Sequence, residues 1–182
     1  STGFKNPVLP TPPKSRASKT AVASKHGGRV LHLDCFSGLS GDMLLGGPAL
    51  FMLDLDHFKA FNDRWGHQAG DACLRAVAEV LRHAASRHGG LAARFGGEEF
   101  IFLLRADDAG RAQAIAEELR VAIERIEIED HGATSTATCT SSIGIALHQG
   151  PEAPNLARML SAADAALYRA KADGRNRTMV ET

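Results

Sequence analysis

At 182 residues, 44% of them hydrophobic and 23% charged, the chain can bury one substantial core and is too short for two comfortable domains. The formal net charge is zero, yet residues 1–29 carry Lys5, Lys14, Arg16, Lys19, Lys25 and Arg29 and no acid, so the remaining 15 bases face 21 acids, a balance of −6. The acidic remainder argues against nucleic acid as its partner, and the three cysteines Cys35, Cys73 and Cys139 lack metal-ligand spacing and read as free thiols in a reducing compartment.

Residues 1–29, rich in Pro, Ser, Thr, Lys and Ala, show no apolar periodicity and are expected to be a disordered basic tail or linker. The longest nearly apolar run, Met43 to Leu53, is interrupted by two glycines and a proline and is too short to span a bilayer. No cleavable signal pattern opens the chain, so a soluble, cytoplasmic protein with no membrane partner within this chain is expected. Residues 30–46 begin as an alternating apolar strand and run into a Gly/Ser/Asp turn, Ser37-Gly38-Leu39-Ser40-Gly41-Asp42. This short stretch resembles the opening strand and loop of nickel-cofactor maturation proteins, but none of that family's remaining domain follows, and it is read as a strand or docking segment.

Ala49 to Leu53 is an apolar strand that ends in Asp54-Leu55-Asp56, and a side-chain period of two puts both aspartates on one face. Carboxylates at a strand's end suit a hard cation such as Mg²⁺, which takes one or two carboxylates together with substrate phosphates. Gly70-Asp71 is expected to open a helix, with Leu74, Val77, Ala78, Leu81 and Ala85 inward and Gly89-Gly90 as its stop. The apolar runs Leu91–Phe95 and Phe100–Leu104 flank Gly96-Gly97 in the pattern of a hairpin whose turn takes positive φ at both glycines. Glycines at the tip let a ligand lie against the backbone, and Glu98 and Glu99 stand at the mouth of the turn.

Asp107-Asp108 should cap a helix with Ala112, Ile115, Ala116, Leu119, Ile123 and Ile126 inward, and Thr134 to Leu147 reads as one strand. A last helix, from about Asn155 to Asp173, stops at Gly174, and Thr178 to Glu181 reads as a final strand. This order predicts an α+β fold with a central, mainly antiparallel sheet flanked by helices.

Gly96-Gly97-Glu98-Glu99-Phe100, preceded by Asp54-Leu55-Asp56-His57-Phe58-Lys59 and by Phe61-Asn62-Asp63, Gly66-His67 and Gly70-Asp71, resembles the GGDEF family of diguanylate cyclases. The resemblance runs from about Pro48 to the end, which makes residues 47–182 the expected domain, and it implies a palm-like nucleotidyl cyclase fold. The implied reaction condenses two GTP into cyclic di-GMP with release of pyrophosphate, between two copies of the domain that face each other. It also implies that Asp54, the Leu55 carbonyl and Glu98 hold Mg²⁺, with Mn²⁺ as the alternative ion, that Glu98 is the candidate base, and that Glu99 holds a second ion. Guanine shows two N–H donors beside a carbonyl acceptor, which one carboxylate and one amide can read, and the matching positions are Asp71 and Asn62. Phe58, Gly96 and Gly97 would line the nucleotide, and Lys59, Lys171 and Arg175 would hold its phosphates. His57, His67 and Trp65 read as packing or turn residues.

Two departures from the family pattern stand out. The Leu-Thr-Gly-Leu-like turn and long amphipathic helix that open the family are replaced by Phe36-Ser37-Gly38-Leu39, too close to Asp54 to leave room for the helix. Either residues 30–46 take its place or the sequence is a fusion or incomplete there, and a catalytically inactive receptor for GTP or cyclic di-GMP is the alternative this favours. The family's Arg-x-x-Asp product-inhibition site is Arg87-His88-Gly89-Gly90 here, which keeps the arginine, loses the aspartate and implies weak or absent inhibition through that site.

Overall fold

The computed structural model describes residues 47–106, 108–129, 136–150 and 152–181. The expectations for the tail, for residues 30–46 and the helix they displace, for Cys35 and for Asp107 fall outside these residues.

The sheet is built around β1 (Pro48–Leu55), whose residues are all buried. It pairs antiparallel on one side with β3 (Glu99–Arg105) and on the other with β6 (Ser141–Leu147). β2 (Leu91–Gly96) lies outside β3, and β7 (Thr178–Glu181) runs parallel to β6, giving the order β2-β3-β1-β6-β7. A central strand covered on both faces explains why β1 reads as a continuous apolar run rather than an alternating one.

Its two faces still differ. Ala49, Phe51, Leu53 and Leu55 join the core beneath α1 (Phe58–His88) and α2 (Ala109–Glu124), where Phe51 meets Phe102 edge-on at 5.5 Å. Leu50 and Met52 join Ile101, Leu103 and Ala146 beneath α3 (Leu156–Ala172). The α3 face is tight, because a Cβ on Gly144 of β6 would stand 2.1 Å from the Ala163 carbonyl oxygen and 2.3 Å from the Leu167 nitrogen.

The mainly antiparallel central sheet and the α+β class agree with the sequence reading, while three local readings are corrected. The first helix of the described residues begins at Phe58, not Gly70, and is kinked at Gly66, where φ 82 and ψ 160 interrupt it. Phe58, Phe61 and Trp65, at i, i+3 and i+7, pack on the same core and were the overlooked periodicity. The hairpin turn is Gly97-Glu98, with Gly96 paired to Glu99 and a bulge between Arg94 and Gly96. Of the two glycines only Gly97 has positive φ, because the bulge supplies the twist that a second left-handed residue would have given. The strand expected from Thr134 to Leu147 is two: β5 (Thr136–Thr138) pairs with β4 (Glu127–Glu129) in a separate ladder, and β6 starts anew at Ser141. The break falls where the Thr140 carbonyl accepts from the Asp56 N–H at 2.8 Å.

Helix ends follow their cap chemistry. Asp108 accepts from the Arg111 N–H and Asn155 from the Arg158 N–H, each satisfying an orphan donor of the first turn. Gly89, at φ 67, terminates α1.

Candidate active site

The end of β1, the tip of the β2–β3 hairpin and the C-terminal end of α3 meet on the α3 face of the sheet. Asp54 is directly opposite Glu99 in the β1–β3 register, so both carboxylates stand on that face. Lys171, in the last turn of α3, places Nζ 2.8 Å from Asp54 Oδ2. The Glu98 carbonyl accepts from the Leu55 N–H at 3.4 Å, which ties the hairpin tip to the strand end. Leu55 buries its side chain in the core, so only its backbone is available to the site.

The electrostatics record crowded negative charge. Burial pushes the Asp54 carboxyl above the usual carboxylate range, Lys171 offsets part of this, and the charges of Glu98 and Asp56 add to it. Glu99 is raised by burial and then by Asp54, with Glu98 and Asp164 contributing further and Lys171 opposing. Such a set offers hard oxygen donors and gains from an added cation, which fits a divalent ion of the Mg²⁺ kind. Among the described residues no three His, Cys, Asp or Glu side chains form a ready-made metal cage.

Asp56, two residues from Asp54, has a different task. Its carboxylate accepts from Thr140 Oγ1 at 2.8 Å, Ser142 Oγ at 2.7 Å and the Asn176 N–H at 3.0 Å. Asn176 in turn accepts from Arg120 Nη1 at 2.7 Å and donates to Glu124 Oε1 at 2.8 Å. This clamp holds Arg175 and Asn176 at φ 63 and 44, a region that costs a non-glycine residue of order 1 kcal/mol. Among the described residues the side chains of Arg175 and of Lys59, in the first turn of α1, have no partner and are free to meet an anion. Sequence reasoning missed Asn176, Arg120, Thr140 and Ser142, and the period-two Asp-Leu-Asp pattern was the only signal that a second carboxylate required partners.

The candidate base-reading residues lie on α1. Asn62 Oδ1 is buried without a hydrogen-bond partner, an arrangement that costs free energy unless a donor arrives. It is accommodated because position 70 is glycine, where a Cβ would stand 1.8 Å from that oxygen. Phe58 stacks on Phe61 with ring centroids 6.1 Å apart and comes within 3.3 Å of the same Cβ position. Asp71 stands on the rim of a mainly apolar cavity of about 470 Å³ between α1 and β2, lined also by Leu74, Ala78, Leu81 and Phe100. At the hairpin, Arg94 Nε and Nη2 donate to the Gly97 carbonyl at 2.8 and 2.5 Å, and nothing lies within 4 Å of a Cβ on Gly97. Gly96 is nearly as open, with Glu99 Oε2 the nearest atom at 3.7 Å, so the tip admits a ligand against its backbone.

Comparison with known proteins follows the same outline. Residues 47–177 match the family described as "Diguanylate cyclase, GGDEF domain", which is most of the chain. The chain belongs to the GGDEF family. Relatives include diguanylate cyclase DgcM of Escherichia coli, 40% identical over 131 residues, covering 72% of this chain and 30% of that protein. Diguanylate cyclase VdcA of Vibrio cholerae is 39% identical, covering 72% of this chain and 38% of the relative. The chain thus spans less than two fifths of the length of these curated relatives. Among solved structures, the GGDEF domain of DgcB from Caulobacter crescentus, in complex with c-di-GMP, superposes with a TM-score of 0.67 at 37% identity, covering 74% of this chain and 78% of that one. The sheet with its flanking helices is therefore the palm-like GGDEF fold expected from the motifs.

His57 caps α1 at φ 55 and is exposed, His67 is exposed, and Trp65 packs on the core beneath an Arg64 guanidinium 4.7 Å from its ring centre. Arg87 pairs with Glu118 of α2 at 2.5 Å. A Cβ at Gly90 would stand 2.8 Å from the Leu103 carbonyl oxygen, so the position that would carry the inhibitory aspartate is closely packed against β3. No helix among the described residues is long and apolar enough to cross a membrane.

Proposed function

We propose that residues 47–182 form a diguanylate cyclase domain, joining two GTP molecules into cyclic di-GMP with loss of two pyrophosphates, across a homodimer in the bacterial cytoplasm. The observation that carries this reading is the convergence of Asp54, Glu98, Glu99 and Lys171 at one strand end, next to an open glycine tip. Asp54, the Leu55 carbonyl and Glu98 would hold Mg²⁺ or Mn²⁺, with Glu99 available to a second ion. Bound there, the ion supplies charge neutralisation at the phosphates and a lower pKa for the attacking hydroxyl.

The chain's own residues do the remainder. Asp71 accepts the guanine N1–H and N2–H, and the orphaned Asn62 amide meets the same edge, which selects guanine over adenine. Lys59 and Arg175 hold phosphate oxygens, Arg175 from the turn fixed by Asp56 and Asn176. Lys171 sets the charge balance of Asp54 and is placed to shift toward a phosphate when a cation takes over that role. Glu98 accepts the proton from the 3′-hydroxyl as it attacks the α-phosphate in line.

The deciding experiment incubates the chain with GTP and Mg²⁺ and follows products by chromatography. Cyclic di-GMP is the expected product, whereas GTP that binds and is not turned over would identify a nucleotide receptor on the same fold. A second prediction concerns Gly70→Ala. The methyl group must displace Asn62 Oδ1, so KM for GTP is expected to rise about tenfold with kcat changed far less, as for a lost hydrogen bond to the base. Unchanged steady-state constants would remove Asn62 from the base site.

A further inference from the structure

Cys73 and Cys139 are the pair of groups that the cyclase reading leaves unused. Cys73 lies in α1 two residues beyond Asp71, and Cys139 lies between β5 and β6, next to the Thr140 that holds Asp56. Their sulfurs are 3.0 Å apart, about 1 Å beyond the length of a disulfide bond, although the two residues are 66 positions apart in the chain. Both are free and buried, at 0% and 6% exposure, Cys139 being the less deeply covered of the two.

We propose that Cys73 and Cys139 are an oxidative modification site, forming a reversible intramolecular disulfide with a peroxide as the oxidant. The Cys73 S–H donates to Cys139 Sγ, and this hydrogen bond lowers the Cys139 pKa, which makes its thiolate the nucleophile. That thiolate attacks one peroxide oxygen, the O–O bond breaks, and hydroxide leaves, giving a sulfenic acid at Cys139. The Cys73 sulfur then attacks the Cys139 sulfur, the S–O bond breaks, and the hydroxyl leaves as water with the Cys73 proton. The proton first released by Cys139 neutralises the hydroxide. In sum, two thiols lose two electrons and one hydrogen peroxide becomes two waters. The link would join the helix that carries Asn62 and Asp71 to the segment that fastens Asp56.

The test uses the chain with Cys35→Ser, so that only this pair can react, treated with hydrogen peroxide, denatured, alkylated and digested. The expected result is a disulfide-linked pair of peptides containing Cys73 and Cys139, lighter by two hydrogens and separated by dithiothreitol. Closing a loop of this size should also raise the thermal midpoint of the oxidised form by roughly 5 °C over the reduced form. Recovery of both residues as alkylated thiols, at a peroxide dose that consumes Cys35 in the parent chain, would overturn the proposal, as would links formed only between molecules. The parallel Cys73→Ser chain should give no link and further oxidation at Cys139. Neither the linked peptides nor the thermal midpoint depends on nucleotide turnover, so their outcome is separate from that of the nucleotide assay.

Discussion

Glu98→Gln is expected to lower cyclic di-GMP formation at least about a thousandfold while the chain stays folded. The change removes one negative charge and a proton acceptor but keeps the side chain's size. A missing general base alone costs about a hundred- to ten-thousandfold, and a missing carboxylate ligand adds to that. Little stability is at stake, because Glu98 is a half-buried turn residue whose contact with β1 runs through its backbone carbonyl. The thermal midpoint should therefore stay within about 2 °C of the parent. Product formation within tenfold of the parent, measured under saturating GTP and Mg²⁺, would take both the base and the ion-holding role away from Glu98.

Gly144→Ala should produce a larger loss of stability than alanine at any other described glycine. The new carbon would meet backbone atoms of α3 at 2.1 and 2.3 Å and the Leu167 Cα at 2.9 Å, and backbone has no rotamer by which to escape. The helix must rise off the sheet, opening the layer formed by Leu50, Met52, Ile101, Leu103, Ala163 and Leu167. Overpacking of this kind costs about 3 kcal/mol or more when the obstacle cannot move. A urea titration reads it directly as a lower midpoint. The same displacement carries Lys171 away from Asp54, so activity should fall even where folding is rescued by low temperature. A midpoint equal to the parent's would mean that α3 and β6 do not lie as close as their backbones indicate.

How far the chain could be read without its structure depended on range. The core strand, the capped helices and the hairpin are written locally: apolar runs, Asp108 and Asn155 as caps, and Gly89 as a stop act within a few residues of themselves. The start of α1 was not legible because Gly66 divides its periodicity and leaves the longer half, from Gly70, as the stronger local signal. The turn was misplaced by one residue because a bulge at Phe95 is settled by pairing with β3, which no residue in β2 announces. In the site, Asp54 and Glu99 were visible as carboxylates, but their being opposite one another is a matter of strand register. The work of Asn176 was hidden altogether, since its partners Asp56, Arg120 and Glu124 are scattered through the chain.

That scattering governs when the domain becomes competent. The bond from the Asn176 N–H to Asp56 spans 120 positions, and Lys171 reaches back to Asp54 over a similar span. During synthesis the strand bearing Asp54 and the hairpin bearing Glu98 leave the ribosome well before the residues that close the site around them. Until α3 docks, Asp54 lacks Lys171 and Asp56 lacks the backbone donor of the final turn, so a nascent chain holds the carboxylates without the cations that balance them. Pairings of such long range are slow to form and form late. A ribosome paused after the hairpin has emerged and before Asn176 is made would therefore display a chain with every motif of the hairpin and no assembled centre.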